Sequence, residues 1–239
     1  MDWSRAKTIL LVSFLLLNIL LGYQLWYDKT SPLGSDSNAN EATPEIEQIM
    51  AQKGIVLSAS VPKDTPKLRE IDVKITPSEG EPAVTALNTP FQATELKDKT
   101  SLRSVISRQI PDGESYQIDD YDSEGDQHVL HQMQDLYPLF DVKLVLYEME
   151  GVIRSYQQTH AEVISSAVVK EQKVLTGYTA IELLVEKYLK EGSNIIDVRL
   201  GYHGQTFEAD TRVLAPYWRI VTDQGDRFFV HAITGAVEE

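Results

Sequence analysis

Two histidines three residues apart, His128 and His131, lie beside a run of carboxylates, and that spacing invites metal or acid–base chemistry. On a strand, positions i and i+3 face opposite sides, so the pair cannot close on one ion. They read instead as two surface or edge histidines. Asp120, Asp122, Glu124, Gly125 and Asp126 imitate the opening of a calcium-binding EF-hand loop. Position twelve of such a loop needs a bidentate Glu, and here it is His131. A hairpin turn with acidic flanks is the better reading. His160 with Glu162, and His231 with Asp226, could pair as acid and base, but a chain this acidic produces such neighbours by chance. The glycine-rich nucleotide loops, the GxSxG elbow and the HExxH zinc helix do not occur. With no cysteine there is no thiolate nucleophile, thiolate metal site or disulfide. The expectation is a non-enzymatic protein with no catalytic, cofactor-binding or metal-binding residue and no cofactor.

Composition narrows the partners. The chain has 239 residues and a net charge of −14. Asp2, Arg5 and Lys7 give residues 1–27 a charge of +1, so the remainder carries −15. Such a surface repels phosphate backbones, which argues against nucleic acid as a partner. A disulfide-free exported domain suits a bacterium without an oxidising periplasm.

The elements that must position any function begin with the first 27 residues. From Ile9 to Tyr27 the side chains are apolar except Ser13, Asn18 and Gln24, and none is charged. At about 1.5 Å per residue this run covers roughly 28 Å, close to the hydrocarbon thickness of a bilayer. It predicts a transmembrane helix over 9–27 lying in the lipid bilayer. Arg5 and Lys7 precede it and set the inner interface, so residues 1–8 are cytoplasmic and the rest lies outside. Tyr23, Trp26 and Tyr27 form an aromatic belt at the outer interface. These bulky residues stand where a signal peptide would have small ones, so the segment reads as an uncleaved anchor in the cell membrane. An amide in hydrocarbon needs a partner. Asn18 finds one either on another helix or, with Ser13, on its own backbone. Leu11, Phe14, Asn18, Leu21, Gly22 and Leu25 share one side of the helix and form the candidate helix–helix interface.

Residues 28–44, small and polar with two prolines, read as a linker. Residues 45–239 then follow as one α+β domain or as two similar halves, 45–160 and 161–239. Pro44 starts a helix that Gly54 ends. Alternation predicts strands over Ile55–Val61 and Leu68–Ile75, and proline and glycine predict a loop over 76–90. A short helix over Ser101–Arg108 precedes strands over Tyr116–Tyr121 and Gln127–Gln134. A hairpin turns at Glu150–Gly151. Thr179 and Glu182 match a capping box, with Ile181, Leu184, Val185 and Tyr188 as the apolar face and Gly192 as the stop. Strands over Ile195–Tyr202, Leu214–Thr222 and Arg227–Ala232 close the chain. The pattern is antiparallel sheet covered by a few helices. Pro138–Tyr156 and Pro216–Val230 share the order proline, strand, glycine turn, strand, each after a helix, which reads either as tandem duplication or as ordinary hairpin grammar.

Two resemblances add to this. The hairpin from Pro216 to Val237, with aromatics at alternate positions and a Thr234–Gly235 turn, resembles the closing hairpin of PepSY-type extracytoplasmic domains, which are non-catalytic interaction or inhibitory modules. More specifically, Met1-Asp2-Trp3, Lys7-Thr8-Ile9, the Phe14 to Asn18 core and the Tyr23-Gln24 exit resemble the start of the YycI (WalI) family. The overall layout of helix, linker and α+β domain is similar too. That resemblance implies a regulator of the sensor histidine kinase YycG (WalK) in Gram-positive cell-wall metabolism. It would sit beside its sister protein YycH and restrain the kinase through transmembrane helix contacts. The competing expectation is a PepSY-like inhibitor or chaperone of an exported protease.

Overall fold

The computed structural model describes residues 3–30, 42–77, 82–164, 170–204 and 211–238. The chain divides into two compact units, Met1–Ala39 and Asn40–Glu239.

The first unit is helix α1, Trp3–Thr30, which continues past the expected span 9–27 at both ends. Residues 28–30, read as the start of the linker, are therefore helical, and 31–41 lie outside the described residues. Among the described residues no helix is long and apolar enough to cross a membrane. In α1 the described side chains are Lys7 and residues 10–22.

The second unit is α+β. In chain order it contains α2 (Pro44–Lys53), β1 (Val56–Leu57), β2 (Lys67–Leu68), β3 (Ile71–Thr76) and β4 (Thr85–Gln92). Next come α3 (Lys99–Gln109), β5 (Tyr116–Glu124), β6 (Gln127–Gln134), β7 (Tyr137–Met149), β8 (Val152–Gln158), β9 (His160–Ile164) and β10 (Gln172–Lys173). Last are α4 (Gly177–Lys187), β11 (Asn194–His203), β12 (Thr211–Thr222), β13 (Arg227–His231) and β14 (Val237–Glu238). Two runs dominate. Helix α3 leads into the antiparallel meander β5–β8, and α4 leads into the meander β11–β14. The meanders join in one sheet where β7 and β11 run parallel at Leu139 and Tyr202. Gly201 permits that approach. A Cβ there would lie 2.6 Å from the Pro138 carbonyl oxygen and 2.6 Å from the Phe140 ring.

Each helix buries its apolar stripe on its own meander. Ile181, Leu184 and Val185 of α4 pack with Trp218, Ile220 and Phe228, and Ile46 and Met50 of α2 join the same cluster. Leu102 and Ile106 of α3 pack with Leu130, Leu144, Leu146 and Ile153. Burying one such side chain contributes about 1.5–3 kcal/mol. A third cluster, with Val73, Leu139, Val142 and Leu214, lies where β3, β7 and β12 meet.

Local signals explain most helix limits. Thr43 caps α2 by accepting the Ile46 N–H at 3.4 Å, and Gly54 ends it at φ +65°. Lys53 at its end donates to the α4 carbonyls of Val185 (2.6 Å) and Glu186 (3.1 Å), where the helix dipole favours a cation. The cap of α4 is Thr176, whose hydroxyl accepts the Thr179 N–H at 3.1 Å, so the capping box expected at Thr179 begins a turn too late. Tyr188, assigned to the apolar face, is the exposed residue that ends the helix.

Two expectations about strands fail for physical reasons. Ile55–Val61 yields only β1, which runs parallel to β11 through Val56 N–H to Ser193 (3.0 Å) and Ser58 N–H to Ile195 (3.0 Å). The loop expected over 76–90 contains most of β4. That strand pairs with β8, and its register breaks between Ala86 and Phe91, so Pro90 sits where no ladder N–H is required.

Candidate functional site

On α1, Leu11, Phe14 and Leu21 are exposed, and a Cβ on Gly22 would meet nothing within 4 Å. The Asn18 side-chain N–H donates to the Phe14 carbonyl at 2.8 Å, the self-satisfying bond of the two expected. Lys7 is exposed. The side chains of Arg5, Tyr23, Leu25, Trp26 and Tyr27 lie outside the described residues.

The folded unit holds a second site that the sequence reading did not assign. The sheet faces turned away from α3 and α4 meet in a seam of buried charges. At its centre is Arg219 of β12, fully buried, 2.8 Å from Asp119, 2.8 Å from Asp197 and 3.4 Å from Asp122. Arg199 bridges Asp119 (3.0 Å) and Asp197 (3.8 Å), and Arg227 reaches Asp122 at 3.0 Å. His131 Nε2 lies 2.8 Å from Asp122, and the Phe140 ring stacks under the Arg219 guanidinium at 4.9 Å. Each carboxylate thus meets two guanidinium groups. A charge this deep is tolerable only when paired in this way.

The electrostatics follow from the packing. Burial pushes the Asp122 carboxyl up, but the His131 hydrogen bond and the charges of Arg219 and Lys143 outweigh it and hold it well below the usual carboxylate range. Burial likewise works against the Arg219 cation, and the three aspartates more than offset it. The pairing is not saturated: Arg219 Nε and His131 Nδ1 are buried without a hydrogen-bond partner.

A cavity of about 330 Å³ opens at the rim of the seam, lined in part by Asp122, Asp141, Lys143, His203, Arg227 and Phe229. His203 bonds Asp141 at 2.8 Å and stacks on Phe229 with ring centroids 4.0 Å apart. This resembles the base and orienting group of a hydrolase, but among the described residues no Ser, Thr or Cys lines the cavity to serve as nucleophile.

The other histidine readings resolve individually. His131 is 1% exposed and part of the seam, which corrects its reading as a surface or edge residue. His128, half-buried, pairs with Glu148 at 2.7 Å on the opposite face, as strand alternation requires. The acidic run is a hairpin turn at Gly125, φ +57°, with Asp122 drawn inward. His160 lies 3.9 Å from Asp112, and His231 accepts backbone N–H groups of its own turn. Among the described residues no three His, Asp or Glu side chains are placed to hold a metal ion. One signal could have revealed Arg219: it is a lone cation in Leu214–Val221, a strand apolar on both faces.

The fold and seam define an α+β domain of two helix-and-meander runs clasped by ion pairs. The sequence matches a protein-family profile described as YycI protein over residues 34–233, and the chain belongs to the YycI family. Membership carries the context of regulatory accessory proteins of the YycG (WalK) two-component system. The match covers the folded unit, where the resemblance in the sequence was thinnest. No curated protein matches the chain. Among solved structures it is similar to an uncharacterized protein from Eubacterium rectale ATCC 33656, at 15% identity and a TM-score of 0.34. That similarity covers 51% of this chain and 44% of the other, and it supports no functional transfer.

Proposed function

We propose that this protein is a non-enzymatic, single-pass accessory protein of the cell membrane. It regulates, and in sign restrains, the sensor kinase YycG (WalK) together with YycH. Residues 9–27 form the transmembrane helix, with the N-terminus cytoplasmic and the folded unit extracytoplasmic. The observation that carries this reading is the family match over residues 34–233, beside the uncharged apolar run Ile9–Tyr27. A kinase that switches by small helix shifts is a two-state element, and an added helix biases it. A bias of about 1.4 kcal/mol changes the ratio of states tenfold. The stripe Leu11, Phe14, Asn18, Leu21, Gly22 and Leu25 is the contact face. Asn18 donates to Phe14, which leaves its side-chain oxygen to accept from a neighbouring helix.

The test is co-purification from membranes of the full-length protein against a version with residues 9–27 replaced by a neutral Leu/Ala helix. The native helix should bring down the kinase and YycH, and the replacement should not. Equal capture by both versions, or by neither, would sink the helix-contact mechanism. Asn18→Leu combined with Gly22→Leu should weaken the association and raise kinase output.

A further inference from the structure

Helix α3 and strand β5 enclose a groove of about 740 Å³ that the regulatory reading does not use. Its apolar lining includes Leu102 and Ile106 of α3, Ile118 of β5 and Met133 of β6. Beside it runs a sheet edge. Strand β5 ends the strand order and, among the described residues, pairs with β6 alone. From Tyr116 to Asp119 the β5–β6 ladder is regular, and it breaks between Asp119 and Glu124. In the regular stretch, alternate residues turn their N–H and C=O groups outward with no strand beyond them. Such an edge is matched by the backbone of another extended chain.

The opposite wall specifies charge. Helix α3 carries Lys99, Arg103 and Arg108 and no acidic residue, in a chain of net charge −14. Lys99 and Arg103 line the groove and are exposed. Among the described residues, neither has a carboxylate within ion-pair distance. Glu114 and Asp135 complete the rim, so acidic side chains are favoured only where a bound chain faces α3.

We propose that this groove binds an extended acidic peptide segment by strand addition to Tyr116–Asp119. Apolar side chains of the peptide fill the pocket over Leu102, Ile106, Ile118 and Met133. Its carboxylates pair with Lys99 and Arg103. The site is separate from the helix-mediated contacts of α1, and its assay needs no kinase.

The experiment uses the full-length protein in nanodiscs and a fluorescein-labelled peptide of repeating Val-Thr-Glu-Thr, which sets Val and Glu on one face of the added strand, read by fluorescence anisotropy. A version with the central Val and the Thr after it both replaced by Pro loses a ladder N–H in either register, and a Val/Lys version reverses the charge. The Val/Glu peptide should bind, and each altered peptide should bind about tenfold more weakly or worse. The double variant Lys99→Glu, Arg103→Glu should weaken the Val/Glu peptide by about tenfold or more while leaving thermal unfolding unchanged, since both side chains are exposed. No binding by the Val/Glu peptide overturns the proposal. Equal binding by the Pro peptide overturns strand addition. Equal binding by the Lys peptide, or by the double variant, overturns the assigned acidic ligand.

Discussion

Arg219 has no contact with water and is flanked by Asp119, Asp122 and Asp197. Removing one member of a buried ionic group is far costlier than replacing the whole group, because the remaining charges lose their compensation. Arg219→Ala should therefore destabilise the folded unit by about 3–5 kcal/mol, read as a shift in the denaturant midpoint at unchanged slope. A midpoint within error of the parent would mean that the aspartates find other partners. Asp122 gives the pH dependence. Its carboxyl titrates lower in the folded protein than in the unfolded chain. Its contribution is thus fully present above the unfolded value, about 4, and is lost as pH falls below that. Asp122→Asn should flatten that part of the acid limb in a stability–pH series, and an unchanged limb would count against the seam's role. Apart from Arg219 standing as a lone cation in an apolar strand, none of this was legible in the sequence. The seam draws on residues 119–131, 197–199 and 219–227, and only the fold brings those segments together.

Local turn chemistry did show through at the level of elements. Glu150 and Gly151 both take positive φ, and the hairpin they close joins β7 to β8 where the sequence placed it. Strand β6 has the expected limits, Gln127–Gln134. What escaped was pairing that no local rule encodes. Strand β4 is held by β8 some sixty residues on, and β9 by β3, so neither has a hairpin signal of its own. Thr179 shows the limit of cap rules. Two threonines compete for one helix start, and packing chooses Thr176, with Gly177 seated against Val61 and Trp218. The junction of the meanders is similarly set by one residue. Gly201→Ala places a methyl group against the Pro138 carbonyl oxygen and the Phe140 ring. The carbonyl is backbone and yields little, so this change should cost about 1–3 kcal/mol. Thermal unfolding checks it, and an unchanged midpoint would show that β7 and β11 separate easily.

The whole molecule consists of two compact units, and the second contains all three buried clusters. A fragment of residues 40–239 should therefore unfold cooperatively at the same temperature as the folded unit of the full chain. Differential scanning calorimetry would show otherwise if α1 supplied part of its stability. The family was legible from short motifs near the N-terminus, whereas the profile match rests on the folded unit. An apolar helix draws on few residue types and so identifies less than a packed domain does. A last consequence follows from the way the folded unit begins. In mechanical terms, any tension on the chain from the side of residue 42 reaches α2 before it reaches the large sheet. Lys53 fastens α2 to the end of α4, and β1 lies parallel along β11. A tug along the axis of β1 shears its hydrogen bonds together instead of peeling them one at a time. Pulled in that direction, the unit is held at its first elements by a clamp and not a zipper.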